Sequence, residues 1–383
     1  MAIGKPGSIS GLLNALMEST ITTHKPLDEL QLPITSQKPE QLPQPKLPVS
    51  KFIFRIMLLG GVLLYSSYSI IIHLCEVDGK IPFSNAACVL VIEIFKLFLS
   101  LGMFIAEVIQ EQWSMVTPKN FNSCLRNRLK REFLTEGEES DVTSKRQLLW
   151  LLVPFAVPAI LYTITNNLGL MIQMEMDPAT YQVLANLKVF STAILFRIII
   201  KRPLSYRQWF ALFLLIVAGV INGSANYDTS NTNSSSMLHI TFKGIIMMSI
   251  YCTVSGFASV YTEYVLKSRV HMSLNIQNAT LYIFGTIINA SLYVFQEAIV
   301  TGNFYLIRGF TFLTWLLVVT QGISGIFIGF VMKYASSILR LFIISAAMIV
   351  TTVFSVFIFD LVLKTSFIIS AALVICALVL YHL

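Results

Sequence analysis

Polar and apolar positions separate in this chain into long blocks. Ten apolar runs occupy Phe52–Leu74, Asn85–Ile109, Leu148–Ile172, Pro178–Ile200, Ser205–Ser224, Phe242–Leu266, Ile276–Ala298, Phe310–Met332, Ile338–Phe359 and Thr365–His382. Most approach the length of about 20 residues that a helix needs to cross a bilayer. The pattern predicts an all-α polytopic membrane protein with ten transmembrane helices. Residues 1–50 break the pattern, with prolines at Pro6, Pro26, Pro33, Pro39, Pro43, Pro45 and Pro48 and little apolar periodicity beyond Ile9–Met17. They read as a disordered tail, without the long apolar core or small-residue cleavage site of a signal peptide. Residues 51–383 read as the transmembrane domain, with halves at about 51–224 and 242–383. The charged stretch Gln110–Gln147 reads as a flexible, solvent-exposed loop.

A weak internal repeat joins the halves. Ala179-Thr-Tyr-Gln-Val-Leu opens the fourth run and Ala335-Ser-Ser-Ile-Leu-Arg opens the ninth. Five spans per half place the halves in opposite orientations, an inverted repeat whose substrate site falls near the midplane. Charge sets the expected sidedness. With the N-terminus cytosolic, that side gathers Arg126, Arg128, Lys130, Arg131, Arg197, Lys201, Arg202, Arg207, Lys267, Arg269, Lys333 and Arg340. The other side keeps only Lys80, Lys243, Arg308 and Lys364, a strong positive-inside signal. Both termini are then cytosolic. Of the sequons at Asn222, Asn233, Asn278 and Asn289, only Asn233 falls clearly in a lumenal loop and is the expected glycan acceptor.

Composition agrees with the pattern. Apolar residues make up 55% of the 383 residues and charged residues 12%, and the mean hydropathy is +0.72. A soluble domain carries about twice that charged fraction. The net charge of +7 comes without a basic stripe of interleaved aromatics, which argues against nucleic acid. Five scattered cysteines suggest neither a disulfide framework nor a zinc site, and neither metal nor cofactor is expected.

Polar residues inside the apolar runs are the candidate chemistry. Lys188 lies roughly 15 Å into its run at 1.5 Å per residue, about the bilayer midplane. A cation there costs on the order of 3 kcal/mol on insertion scales. It reads as an anion-binding residue in a transport path or as a structural cation paired with a carboxylate on another helix. Glu93 and Lys96 share a face three residues apart, as a structural ion pair or a gate. Tyr162, Asn166 and Asn167 offer neutral donors and acceptors suited to a base or sugar, or to bonding between helices. Lys333 and Arg340 add cations that read as phosphate ligands or as positive-inside flanks. Gly322, Gly325 and Gly329 read as a close-packing face. Glu263 and Lys267 read as a plain surface pair, four residues apart. The longest lumenal loop, Ala225–Thr241, carries only Asp228 as an acidic residue, so an enzyme is not expected.

Several of these stretches, taken in order, resemble a known family. They are Ile92-Glu93-Ile-Phe-Lys96-Leu, Tyr162-Thr-Ile-Thr-Asn166-Asn167, Ala179-Thr-Tyr181-Gln182-Val-Leu-Ala-Asn-Leu-Lys188, Gly256–Lys267, Asn275-Ile-Gln277 and Lys333-Tyr334. The chain resembles the nucleotide-sugar transporters of solute carrier family 35, subfamily A, and within it a divergent branch of probable UDP-sugar transporters. The resemblance implies the drug/metabolite transporter fold. It also implies exchange of a nucleotide sugar for a nucleoside monophosphate across the Golgi membrane. Substrate contacts carry over to Tyr162, Asn166, Asn167, Tyr181, Gln182, Lys188, Asn275 and Lys333. Family members continue after Lys-Tyr with Asp-Asn-Ile-x-Lys, whereas here Ser336, Ser337 and Ile338 follow and Arg340 takes the last basic position. A UDP-sugar, with UDP-galactose as the single choice, is the expected cargo. A CMP- or CDP-linked sugar or alditol, or a phosphorylated metabolite, is the alternative. A homodimer or a complex with a glycosyltransferase is the expected assembly.

Overall fold

The computed structural model describes residues 45, 47–75, 82–111, 121–133, 145–175, 184–230, 242–296, 302, 305–359 and 365–382. The expected tail, residues 1–50, falls almost entirely outside them, as do Tyr181, Gln182 and Asn233. Eleven helices are described: α1 Lys51–Leu74, α2 Asn85–Glu111, α3 Phe121–Phe133, α4 Lys145–Glu175, α5 Lys188–Ile199 and α6 Tyr206–Ser230. The remainder are α7 Phe242–Ser268, α8 Leu274–Tyr293, α9 Phe312–Tyr334, α10 Ser337–Phe359 and α11 Thr365–His382. Six helices are long and apolar enough to cross a membrane, and shorter apolar stretches lie within α4, α6 and α11. Among the described residues there is no strand. The chain is an all-helical, polytopic membrane protein.

Apolar side chains facing outward fit that environment. Phe52, Phe98, Ile198, Phe312 and Phe357 are exposed on their helices, a costly pattern in water and an ordinary one against lipid tails. The interior clusters join helices distant in sequence. Val189, Phe196, Leu212, Phe342 and Val374 bring α5, α6, α10 and α11 together. Phe104, Phe155, Leu266, Ile276, Phe327 and Met332 join α2, α4, α7, α8 and α9. The pairings have a pattern. α2 packs closely on α8, and α6 on α11. α1 packs on α9 and α10, while α7 packs on α4 and α5. At one end, Phe83 before α2 meets Phe310 before α9, with ring centroids 5.8 Å apart. At the other, Lys333 at the end of α9 bonds to Met272, just before α8.

Two expectations change. The loop 110–147 contains α3, whose Leu125, Leu129 and Phe133 pack against the core beside Phe104 and Met272. Its apolar residues recur at i and i+4, which lays one face of a short, otherwise polar helix onto the bundle. The expected continuous helix Pro178–Ile200 is also different. α5 begins only at Lys188. Leu184 and Ala185 before it are helical, and Asn186 and Leu187 form a turn. Around that turn Leu187, Val189 and Phe190 donate to carbonyls three residues back, those of Leu184, Asn186 and Leu187. The chain therefore tightens into a 3₁₀ turn just ahead of Lys188, a feature common at functional hinges. Lys188 thus follows a two-residue interruption at Asn186 and Leu187, with helical residues on both sides of it.

Candidate functional site

A cavity of about 380 Å³ lies among α1, α2, α4, α7, α8, α9 and α10. Its size is that of a small-molecule site. One wall holds charge. The Lys96 ammonium bonds to Glu93 Oε1 at 2.5 Å and lies 4.7 Å from the centroid of the Tyr282 ring. Glycines make room for this wall. A side chain at Gly285 would strike the Glu93 carboxylate, and one at Gly325 would strike the Lys96 stem. Gly322 and Gly329 likewise leave space for Phe95 and Asn278. The glycine face of α9 thus does bring helices close, and what it admits is the polar lining of the cavity.

Arg340 stands in the first turn of α10 and lines the same cavity. Its Nη1 donates to Tyr162 Oη at 2.9 Å and to Ser259 Oγ at 3.5 Å. The guanidinium lies 5.7 Å from the centroid of the Tyr162 ring, and Tyr65 on α1 lines the cavity beside it. Its buried Nε has no acceptor among the described residues. Lys188 lies within electrostatic range of Arg340 and of Cys252 on α7. No described carboxylate pairs with either cation, since the described ion pairs engage Glu93, Glu107, Glu111, Glu132 and Glu263 with other partners.

The turn that delivers Arg340 is clamped from α7. Lys267 Nζ bonds to Glu263 Oε1 at 2.7 Å and to the Ala335 carbonyl. Glu263 Oε2 accepts the Ser337 N–H at 2.6 Å. Both side chains are fully buried, so the expected surface pair is an interior one. The i,i+4 spacing was right, but spacing cannot tell which side of a helix is covered.

The remaining wall is neutral. Asn166, Thr163 and Tyr162 come from α4, Asn278 and Tyr282 from α8, Gln321 and Ser324 from α9, and Tyr65 from α1. Both polar atoms of the Asn278 amide are buried with no partner among the described residues. Buried amides are nearly always bonded, so this one keeps unused hydrogen-bonding capacity. Gln321 lies beside Tyr68.

The structure thus unites Glu93, Lys96, Tyr162, Asn166 and Arg340 around one cavity. Lys188 stands near Arg340 but not on the lining itself. Asn275 and Lys333 are elsewhere, at the α7–α8 turn. Asn275 Nδ2 donates to Glu107 Oε2 at 3.0 Å, and Lys333 Nζ donates to the Met272 carbonyl at 2.6 Å. Asn167 lies on α4, though its side chain is outside the described residues. Tyr65, Asn278, Gln321 and Ser324 were not expected as lining. Polar residues in otherwise apolar spans were the available signal for all four.

Comparisons with known proteins fit this architecture. The nucleotide-sugar transporter family matches residues 50–382. A relative from Xenopus tropicalis named probable UDP-sugar transporter protein SLC35A4 is 34% identical over 336 residues, covering 87% of this chain and 93% of the relative. The protein of the same name from Danio rerio is 34% identical, covering 90% of this chain and 98% of its own length. The one from Homo sapiens is 33% identical, covering 85% and 93%. A solved crystal structure aligns with a TM-score of 0.58 at 11% identity, over 86% of this chain and 96% of its own, and so shares the fold. Family match, membrane-crossing helices and a polar interior cavity lead to one conclusion: the chain belongs to the nucleotide-sugar transporter family, a family of transporters and not enzymes.

Proposed function

We propose that this protein exchanges a UDP-sugar, UDP-galactose in the first instance, for UMP across the Golgi membrane. The observation that carries the reading is the pair of neighbouring cations Arg340 and Lys188, neither matched by a described carboxylate. An unpaired cation is expensive inside a membrane protein unless a polar cavity or an anionic cargo compensates it. Arg340 can hold a phosphate through two parallel hydrogen bonds, and Lys188 adds a point charge. Tyr162, Asn166, Asn167 and Asn278 supply neutral contacts to base or sugar. Glu93 and Lys96 neutralise each other at rest and orient the cargo across the cavity. Tyr181 and Gln182 join from the stretch ahead of α5, on the strength of the resemblance. Asn275 and Lys333 join when the α7–α8 turn opens.

The helices pair as an inverted repeat requires, which supports ten spans in two halves. Exchange of the first and sixth, second and seventh, third and eighth, fourth and ninth, and fifth and tenth spans maps α1 with α9 and α10 onto α7 with α4 and α5. It maps the α2–α8 and α6–α11 pairs onto themselves. Both termini then face the cytosol, and Asn233 in the lumen takes the glycan. Loss of a glycosidase-sensitive mass shift in Asn233→Gln checks that sidedness.

A UDP-sugar and UMP each carry about two negative charges near neutral pH, so their exchange moves little net charge. Purified protein in proteoliposomes should take up labelled UDP-sugar faster when preloaded with UMP. A panel including CMP- and CDP-linked cargo ranks the alternatives. Uptake of every nucleotide sugar that ignores preloading with UMP, CMP or GMP would sink the exchanger reading.

A further inference from the structure

A second cavity, about 790 Å³ in volume, lies between α3 and the α7–α8 turn and shares no lining residue with the first. Lys130 and Arg131 of α3 face it, with Arg269 and His271 of the turn opposite and Phe133 and Leu151 as apolar walls. Arg128 and Glu132 also line it but are engaged. Arg128 pairs with Glu132 at 2.8 Å, with Glu111 of α2 at 3.1 Å and with Glu107 of α2 at 3.5 Å. Lys130, Arg131 and Arg269 have no carboxylate partner among the described residues.

Both sides of this cavity are held in place. On α3, the Arg128 pairs and the packing of Leu125, Leu129 and Phe133 fix the helix. Across from it, Gln277 Nε2 donates to the Arg269 and Met272 carbonyls, and Lys333 donates to the latter. The Ser273 N–H donates to Glu132 Oε2 at 2.6 Å, which ties the turn to α3. The cations are therefore presented on a pre-organised frame, and a ligand has little ordering to impose.

We propose that this cavity binds the phosphorylated headgroup of an anionic membrane lipid. Lys130, Arg131 and Arg269 share the cavity without a direct ion pair, and a group with several phosphate oxygens can engage them together through charge-assisted bonds. Depth favours a lipid over a free anion. Leu151 lies six residues into α4, roughly 9 Å along it at 1.5 Å per residue, where the helix becomes continuously apolar. The cavity thus runs from a basic surface helix to the edge of the apolar layer. Basic pockets between helices at that level suit lipid headgroups. The inference rests on the membrane setting alone and not on the choice of nucleotide cargo.

The test uses the full chain in phosphatidylcholine nanodiscs, with and without a minor fraction of a phosphatidylinositol phosphate. The lipid should raise the thermal unfolding midpoint and remain with the protein in native mass spectrometry. Lys130→Gln/Arg131→Gln changes two exposed side chains. It should unfold at the wild-type temperature in pure phosphatidylcholine and lose the lipid-induced shift. Arg269→Gln should weaken the shift from the opposite wall. No shift in the wild type, or a full shift in Lys130→Gln/Arg131→Gln, overturns the proposal. So does an equal shift from a soluble inositol phosphate in pure phosphatidylcholine, which would assign the site to a free anion. Failed nucleotide exchange with an intact lipid shift would remove the transport reading and leave this one standing.

Discussion

Glu93 with Lys96 on α2, and Glu263 with Lys267 on α7, are both oppositely charged pairs within one helical turn, joined at 2.5 and 2.7 Å. Their surroundings differ. The α2 side chains are 14–16% exposed and line the cavity, while those on α7 are at most 1% exposed. Glu263 and Lys267 spend their remaining bonds on the backbone at Ala335 and Ser337. Glu93 and Lys96 keep capacity that a cargo could use. The same pairing thus forms a clamp where backbone groups complete it and lines the cavity where one adjoins it. Arg340 links the two, since the clamp sets the start of α10 and Arg340 faces the cavity from its first turn.

The largest expected effect breaks the clamp. Lys267→Ala leaves a buried carboxylate without its cation, a change that costs on the order of 3–5 kcal/mol in protein interiors. Detergent-solubilised protein should lose its monodisperse peak in size-exclusion chromatography. Glu263→Gln/Lys267→Met should recover much of that yield, because a neutral replacement removes the uncompensated charge. Equal losses in the single and double variants would show that the pair does not act through charge.

Next come the cations outside both pairs. In the proposed site, Arg340→Ala and Lys188→Ala each remove a charge-assisted phosphate contact worth about 1.5–3 kcal/mol. At about 1.4 kcal/mol per tenfold, substrate affinity should fall roughly ten- to a hundredfold, with expression preserved. Unchanged exchange kinetics in either variant would remove that residue from the site. A misfolded Lys188→Ala would point to a structural cation instead.

A smaller effect separates the cavity wall from the fold. Gly329→Ala forces a methyl group against the Asn278 amide. Overpacking of this kind costs about 1–3 kcal/mol. Transport should suffer more than thermal stability, because the displaced amide lines the cavity and has no partner among the described residues. A stability loss with unaltered affinity would make Asn278 a packing residue only.

The mildest test is Lys96→Met, which keeps the stem and removes the charge. Glu93 retains cavity exposure, so the protein should stay folded, unlike Lys267→Ala. A shifted preference among nucleotide sugars is expected in competition assays. If Lys96→Met destabilises the protein as much as Lys267→Ala, the contrast between the pairs is lost.

Much of this was legible in the sequence, and for stated reasons. Long apolar blocks dictate membrane helices, because a bilayer requires length and apolarity before any tertiary contact. Ordered motifs such as Glu93–Lys96 and Tyr162–Asn167 named the family and brought five candidate residues to one cavity. Periodicity could not say which face of α7 is covered, so Glu263 and Lys267 looked superficial until α10 was packed over them. Nor could it find α3 within a charged loop, since only contact with the core gives Leu125, Leu129 and Phe133 something to bury against. The 3₁₀ turn before Lys188 and the separation of Asn275 and Lys333 from the cavity depend on hydrogen bonds to distant or non-regular backbone. A sequence states which residues can be charged, apolar or flexible. Which of them face one another across helices is fixed only by packing, and that packing decided which charges found a partner and which have none among the described residues.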